Sequence, residues 1–240
     1  MNIRCFEKGF NYSQDGPGNR LVYHLQGCNM HCPWCSNPEG LKATGGAHEY
    51  TIDEMVSEVL SCRPMFFDGG GVTFTGGECT LQHKALIAVI QKIKENHITV
   101  AIESNAMPAG FMEVVRLCDY VMLDYKHPDS KKLQAVTGGD LSVIERHIRQ
   151  AAAGRPVHIR IPLIHGFNDH DAAFEGFLQF FHSLQSSNFD VELLPYHEYG
   201  RAKWEKIGVP YTVTDGHVSA ERVEALRRLL ENNTIKTIKT

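Results

Sequence analysis

The chain has 240 residues, of which 42 % are hydrophobic and 22 % charged, with a formal net charge of −4 at pH 7. That is enough chain to enclose a sizeable core, and the balance is that of a globular domain rather than a disordered or fibrous one. The slight acidity argues against a nucleic-acid partner, no apolar run reaches membrane-spanning length, and Met1-Asn2-Ile3-Arg4-Cys5-Phe6 lacks the apolar centre of a secretory signal, so a cytoplasmic protein is expected.

In chain order, Asp15-Gly16-Pro17-Gly18 has the chemistry of a turn, and a strand over 20–26 ends in a cysteine-rich loop. Thr51 with Glu54 three residues on forms a capping-box pattern that opens a helix over 51–62. Five more strands are expected over 71–75, 98–103, 120–124, 157–163 and 191–194. Helices are expected over 81–96, 109–117, 141–153, 171–185 and 219–231. Six β–α repeats imply an α/β fold of parallel strands with right-handed crossovers, in one domain over 1–240. Two closures fit the pattern: an open doubly wound sheet or a curved partial barrel. In either, a ligand belongs at the C-terminal ends of the strands. Cys28, Glu78, Glu103, Asp124 and His197 all terminate or follow strands, which points to one shared site.

The cysteine-rich loop reads Gly27-Cys28-Asn29-Met30-His31-Cys32-Pro33-Trp34-Cys35-Ser36-Asn37-Pro38, a C-x3-C-x2-C spacing with no fourth cysteine nearby. Three thiolates suffice for three irons of a cubic iron–sulfur cluster and leave the fourth iron open, as a catalytic zinc keeps one position open. A structural zinc site would need a fourth ligand from His24, His31 or His48, and no second ligand pair follows. The chain has seven cysteines, an odd number that fits a reducing compartment better than a disulfide framework. Cys5, Cys62 and Cys118 are read as small buried hydrophobes; Cys79, beside Glu78, is read as a packed thiol, with a ligand or redox role as the alternative. Trp34 offers a flat face either to a ligand beside the cluster or to ordinary core packing.

Other residues match recognisable functional groups. Gly76-Gly77-Glu78 joins a close backbone approach to a carboxylate suited to an ammonium group. Lys126 and His197 suit a carboxylate. Arg160 lies within a strand and needs a partner.

Taken together, Asp15 to Arg20, the cysteine loop, Gly69 to Glu78, Val121 to Lys126 and Leu193 to Gly200 resemble, in order and spacing, the radical S-adenosylmethionine (SAM) enzymes. More narrowly they are similar to the glycyl-radical-enzyme activating enzymes, with the pyruvate formate-lyase type nearest in layout. The resemblance covers nearly the whole chain and implies a partial (β/α)6 barrel. It implies a [4Fe–4S] cluster on Cys28, Cys32 and Cys35, and an open iron that chelates SAM. It places Trp34, Cys35, Ser36, Gly76, Gly77, Glu78, Asp124, Tyr125, Lys126, Arg160 and His197 beside SAM. Glu103, Ser104, Met122 and Asp124 match a monovalent cation site, with Glu and Ser here replacing the commoner Asp and Thr. Asp15 would lie near the incoming peptide. The implied reaction cleaves SAM reductively and removes a hydrogen from a glycine of a partner enzyme, with flavodoxin or ferredoxin as electron donor. A monomer is expected. Larger relatives carry extra clusters after the cysteine motif, but no cysteine lies between Cys35 and Cys62, so one cluster is expected. The alternatives are a radical SAM enzyme acting on a small molecule such as a deazapurine precursor, and a non-enzymatic iron–sulfur or zinc module.

Overall fold

Short runs of β-branched and aromatic residues separated by amphipathic stretches fold into strands and covering helices. The computed structural model describes residues 1–43 and 45–239. These group into two units, each discontinuous along the chain. The first comprises Met1–Asn29, Glu39–Ser104 and Pro108–Met122, and the second Met30–Pro38, Asn105–Met107 and Leu123–Thr240.

The first unit contains β1 (Asn2–Tyr12), β2 (Asn19–Leu25), β3 (His48–Thr51), β4 (Gly71–Gly76), β5 (Thr99–Ser104) and the opening residues of β6 (Tyr120–Asp124). Their order is β3-β1-β2-β4-β5-β6. β2, β4 and β5 are parallel, while β1 runs antiparallel to both β2 and β3. Helices α1 (Ile52–Ser61), α2 (His83–Glu95) and α3 (Phe111–Val115) belong to this unit. The expected capping box starts α1: the Thr51 side chain accepts from the Glu54 amide, and the Glu54 carboxylate accepts from the Thr51 amide. The core is aliphatic and aromatic, with Tyr23 stacked on Phe74 at 5.8 Å. At the N-terminal ends of these strands Arg20 is fully buried. It donates to Thr73 Oγ1, to the Pro17, Val72 and Thr99 carbonyls and to Thr99 Oγ1, so a buried charge is met by acceptors throughout. Burial brings its pKa down to about 10, against the attraction of Tyr120, Asp119 and Asp15.

The second unit takes the end of β6, followed by β7 (Val157–Leu163), β8 (Phe189–Pro195) and β9 (Thr237–Ile238), in the order β6-β7-β8-β9. Its helices are α4 (Ser130–Thr137), α5 (Leu141–Gly154), α6 (Asp171–Ser183), α7 (Arg201–Lys206) and α8 (Ala220–Asn232). Asp129, Asp140 and Ser219 cap α4, α5 and α8 by accepting from first-turn amides, which satisfies donors that the helices cannot.

The fold is thus α/β with a mostly parallel, unclosed sheet, as expected. The differences are local. Antiparallel β1, the strand β3 paired to it and short β9 extend the six expected strands. β1 escapes a period-two reading because the register shifts between Cys5 and Glu7, which inverts the alternation partway along. The helix expected over 81–96 begins as a tight turn, Cys79–Gln82, before α2. α4 and α7 were not expected, with eight and six residues. Among the described residues no helix is long and apolar enough to cross a membrane.

One polar group fastens β7 to β8. His158 Nδ1 lies 2.6 Å from Asp190 Oδ1, its Nε2 lies 3.0 Å from Glu192 Oε2, and Lys236 Nζ reaches Asp190 Oδ2 at 3.2 Å. Burial lowers the His158 pKa, but Asp190 and Glu192 together outweigh it and raise the pKa above the ordinary value. Asp190 is held below its usual range: burial raises it, and His158 and Lys236 prevail. A folded-state pKa above the unfolded one gives stability that is present below about pH 6.5 and is lost as pH rises through the folded value. The Asp190 share is lost only on acidification. The unfolding free energy should therefore fall more steeply between about pH 6 and pH 8 in the native chain than in His158→Gln. Urea unfolding at each pH measures both slopes; equal slopes would count against the linkage.

Candidate functional site

In the first unit, the C-terminal ends of β2 and β4 are sewn together through backbone. Gly27 N–H donates to the Gly40 carbonyl at 2.8 Å and Cys28 N–H to the Leu41 carbonyl at 3.2 Å. Gly77 N–H donates to the Leu25 carbonyl at 3.0 Å and Glu78 N–H to the Gly27 carbonyl at 2.7 Å. Gly76 sits at φ +123°, and a Cβ there would meet Leu25 N at 2.2 Å. A Cβ on Gly77 would meet the Gly27 oxygen at 2.2 Å and the Gly40 oxygen at 2.6 Å. The two glycines are thus required by space, and they bring Glu78 to the loop that begins at Cys28.

The Glu78 carboxylate is 1 % exposed. Its Oε1 accepts from Thr80 N–H at 3.0 Å, Thr80 Oγ1 at 2.6 Å and Ser104 Oγ at 2.8 Å. Three donors on one oxygen fix the carboxylate in place and offset its desolvation. Glu103, next to Ser104, accepts from Thr75 Oγ1 at 2.9 Å. Cys79 is buried with Sγ 3.4 Å from the Glu103 carbonyl. Burial pushes its thiol well above the ordinary range, which makes it an inert packed group. Met122 is buried in β6. Asp15 lies at the other end of β2: its carbonyl accepts from Thr73 Oγ1 at 2.6 Å and its carboxylate from Asn11. The seven residues of β2, about 23 Å at ~3.3 Å per residue, separate it from Cys28.

In the second unit, Cys35 N–H donates to the Cys32 carbonyl at 3.1 Å, closing a turn between the last two cysteines. Burial pushes the Cys32 thiol up to about 12, with the Lys126 ammonium pulling it back. The loop is held from β8's side: Trp204 Nε1 donates to the Cys35 carbonyl at 2.8 Å, and Lys203 Nζ donates to Asn37 Oδ1 at 2.8 Å. Ser36 is half-buried in that stretch. Trp34 packs on Phe167, with ring centroids 4.9 Å apart, against a cluster that includes Ile164 and Tyr196. The ring thus contributes to core packing, the plainer of the two readings its sequence allowed.

At the end of β6, Lys126 Nζ lies 2.7 Å from Asp124 Oδ2, and Arg160 Nε lies 3.6 Å from Asp124 Oδ1. Burial raises the Asp124 pKa, but the two cations outweigh it and hold the carboxyl below the usual range. Asn168, fully buried, donates to the Lys126 and Pro162 carbonyls at 2.8 and 2.7 Å, locking the ends of β6 and β7. His197 is exposed after β8; its ring stacks on Tyr199 at 4.2 Å. Its Nδ1 accepts from Tyr199 N–H at 3.3 Å, so the neutral ring carries its proton on Nε2 as a donor. Burial lowers its pKa.

Tyr125 follows β6, and its side chain joins the helical layer. Its ring packs on Phe177, Phe180 and Phe181 of α6, and its hydroxyl donates to Glu145 of α5 at 2.6 Å. The side chain thus supports the helical layer. The expected cation ligands are also engaged with protein: Ser104 with Glu78, Glu103 with Thr75, and Asp124 with Lys126. Sequence reading missed Thr80, Asn168, Lys203 and Trp204. Thr80, two residues past Glu78, was the most accessible of these, since a hydroxyl at that spacing returns to a nearby carboxylate.

Among the described residues no group of three or more His, Cys, Asp and Glu side chains is placed to hold a metal ion. The cluster assignment therefore rests on the donor set and its spacing: Cys28, Cys32 and Cys35 are in no disulfide, and Cys28 and Cys35 are half-exposed. Such thiols fit iron–sulfur ligation.

These features define an α/β protein with its polar chemistry at strand ends and a three-cysteine loop. The profile of the Radical SAM superfamily matches residues 22–178, and the chain belongs to that superfamily. Over 223 residues it is 34 % identical to the pyruvate formate-lyase-activating enzyme of Staphylococcus aureus (strain USA300), covering 89 % of this chain and 88 % of the relative. A solved domain of pyruvate-formate lyase-activating enzyme from Bacteroides vulgatus ATCC 8482 is similar with a TM-score of 0.59 and 28 % identity, over 70 % of this chain and 98 % of that one. A radical SAM methyltransferase from Sphaerobacter thermophilus shares the fold, with a TM-score of 0.67 and 18 % identity over 95 % of this chain and 67 % of the other. The superfamily implies a [4Fe–4S] cluster and SAM.

The close seam at Gly77 has a direct consequence. Gly77→Ala should destabilise the chain by about 1–3 kcal/mol, as expected for overpacking against backbone. Gly9→Ala, where nothing lies within 4 Å of the added carbon, should stay within about 0.5 kcal/mol. Urea denaturation midpoints compare the two; equal effects would count against the seam.

Proposed function

We propose that the chain is a glycyl-radical-enzyme activating enzyme of the pyruvate formate-lyase type, acting on a glycine of a partner protein. The observation that carries this reading is 34 % identity over 89 % of the chain to a pyruvate formate-lyase-activating enzyme. In this reading Cys28, Cys32 and Cys35 hold one [4Fe–4S] cluster. A cluster held by these three thiolates would supply the one-electron reduction that reductive cleavage of SAM requires, with the electron drawn from the external donor.

The chain's own residues bind and orient. Glu78, held by Thr80 and Ser104, receives the ammonium of SAM beside the bare backbone of Gly76 and Gly77. Lys126 and His197 receive the carboxylate, with Asp124 and Arg160 keeping the Lys126 ammonium in place. Trp34, Cys35 and Ser36 belong to the loop beside the nucleoside. A monovalent cation near Glu103, Ser104, Met122 and Asp124 is a further carry-over from the resemblance, as is a peptide contact at Asp15. A flavodoxin or ferredoxin donor, a monomeric state and a cytoplasmic setting complete the reading. The small-molecule alternative finds no particular support in the geometry.

The decisive experiment mixes anaerobically loaded, reduced protein with SAM and a candidate glycyl radical enzyme. A doublet glycyl-radical EPR signal on the partner, accompanied by 5′-deoxyadenosine, is expected; 5′-deoxyadenosine with a modified small molecule and no protein radical would overturn the reading. Cys32→Ala should lose both the cluster and SAM cleavage. Glu78→Gln should keep the cluster and weaken SAM binding about tenfold or more, the worth of a charge-assisted hydrogen bond; unchanged SAM affinity by calorimetry would remove Glu78 from the assignment.

A further inference from the structure

We propose that Trp204 is a positioning residue for Cys35, and that α7 acts as a brace holding the cysteine loop in the geometry a cluster needs. The inference rests on the reading that Cys35 ligates the cluster, and it assigns a role to a segment that this reading leaves idle.

Three contacts converge on the loop from one short segment. The Trp204 indole N–H donates to the carbonyl of Cys35 at 2.8 Å. One residue earlier, Lys203 Nζ donates to Asn37 Oδ1 at 2.8 Å. At the start of the helix Gly200 lies so close that a Cβ would sit 2.4 Å from the Cys35 oxygen and 2.8 Å from Ser36 Cα. Backbone, cation and indole thus touch Cys35, Ser36 and Asn37 in turn.

The brace is itself anchored. Trp204 is buried, and its ring lies 6.3 Å from that of Tyr211. The Tyr211 hydroxyl is 2.6 Å from that of Tyr196. Tyr196 belongs to the cluster on which Trp34, the neighbour of Cys35, packs. The loop is held on the Trp34 ring and on the Cys35 carbonyl by the same stretch of chain, 196–211. His197 lies in that stretch, tied to Tyr199 one residue before Gly200. A shift of α7 would move the Cys35 backbone together with the imidazole proposed for the SAM carboxylate.

The hydrogen bond fixes the Cys35 peptide plane and with it the direction in which the Cα–Cβ bond carries the thiolate; outer partners orient cluster ligands in this way. Trp204→Phe removes the donor and keeps an aromatic, though smaller, ring at this buried position.

The test uses the full chain loaded anaerobically with iron and sulfide. It measures iron loss to excess chelator, the EPR spectrum of the reduced cluster, and KM against kcat for SAM cleavage. Trp204→Phe should lose iron about fivefold faster, the equivalent of one hydrogen bond of about 1 kcal/mol, with an altered EPR line shape. KM for SAM should rise more than kcat falls. Lys203→Met should show a smaller change in the same direction. Iron retention, line shape and KM equal to the native chain in Trp204→Phe would overturn the brace. If Trp204→Phe fails to fold, Lys203→Met and Gly200→Ala carry the test, and native behaviour in both overturns it. If the native chain takes up no iron and sulfide, the ligand assignment falls and the brace falls with it; a native chain that loads beside unaffected variants removes the brace alone.

Discussion

Backbone packed on backbone is the constraint from which the proposed chemistry follows. Where β2 and β4 end, Glu78 N–H meets the Gly27 carbonyl and Gly77 fits against Gly27 and Gly40 with no room for a methyl. A side chain at Gly76 or Gly77 would push the strands apart, and the first cysteine and the carboxylate would lose their fixed relation. Parallel strands make the arrangement available, because successive strands of such a sheet end on the same side. The glycines turn that shared end into a close approach.

Electrostatics then decides what each strand end can hold. Glu78 is buried, and three donors converge on one of its oxygens, which offsets its desolvation. Asp124 has the opposite environment, with Lys126 and Arg160 keeping it ionised despite burial. One unit thus presents a rigid carboxylate and the other a rigid cation beside its counter-charge. Ser104 and Asp124, read from sequence as cation ligands, hold these two charges in place.

The sequence showed the fold where burial imposes a simple period. The parallel strands and their helices were legible, and the Thr51–Glu54 box marked the start of α1 to the residue. β1 was hidden because a bulge reverses its alternation, and α4 and α7 because helices of eight and six residues carry little periodicity. The cysteines and Gly76-Gly77-Glu78 stood out because their chemistry lies in spacing. Asp124, Tyr125 and Lys126 read as one string in sequence, whereas in the fold the Tyr125 ring packs on α6 and Asp124 pairs with Lys126. Trp204 was not legible because its role depends on a contact 169 residues away along the chain. Nothing in the local sequence Arg-Ala-Lys-Trp-Glu-Lys signals that contact.

The central claim is that Cys28, Cys32 and Cys35 leave one iron of a cubic cluster open to SAM. Mössbauer spectroscopy of iron-57-loaded protein, with and without SAM, tests it most directly. Three irons should keep the signature of sulfur-only coordination while the fourth moves to a higher coordination number when SAM is added. Four irons indifferent to SAM, or protein that takes up tetrahedral zinc in their place, would contradict the account.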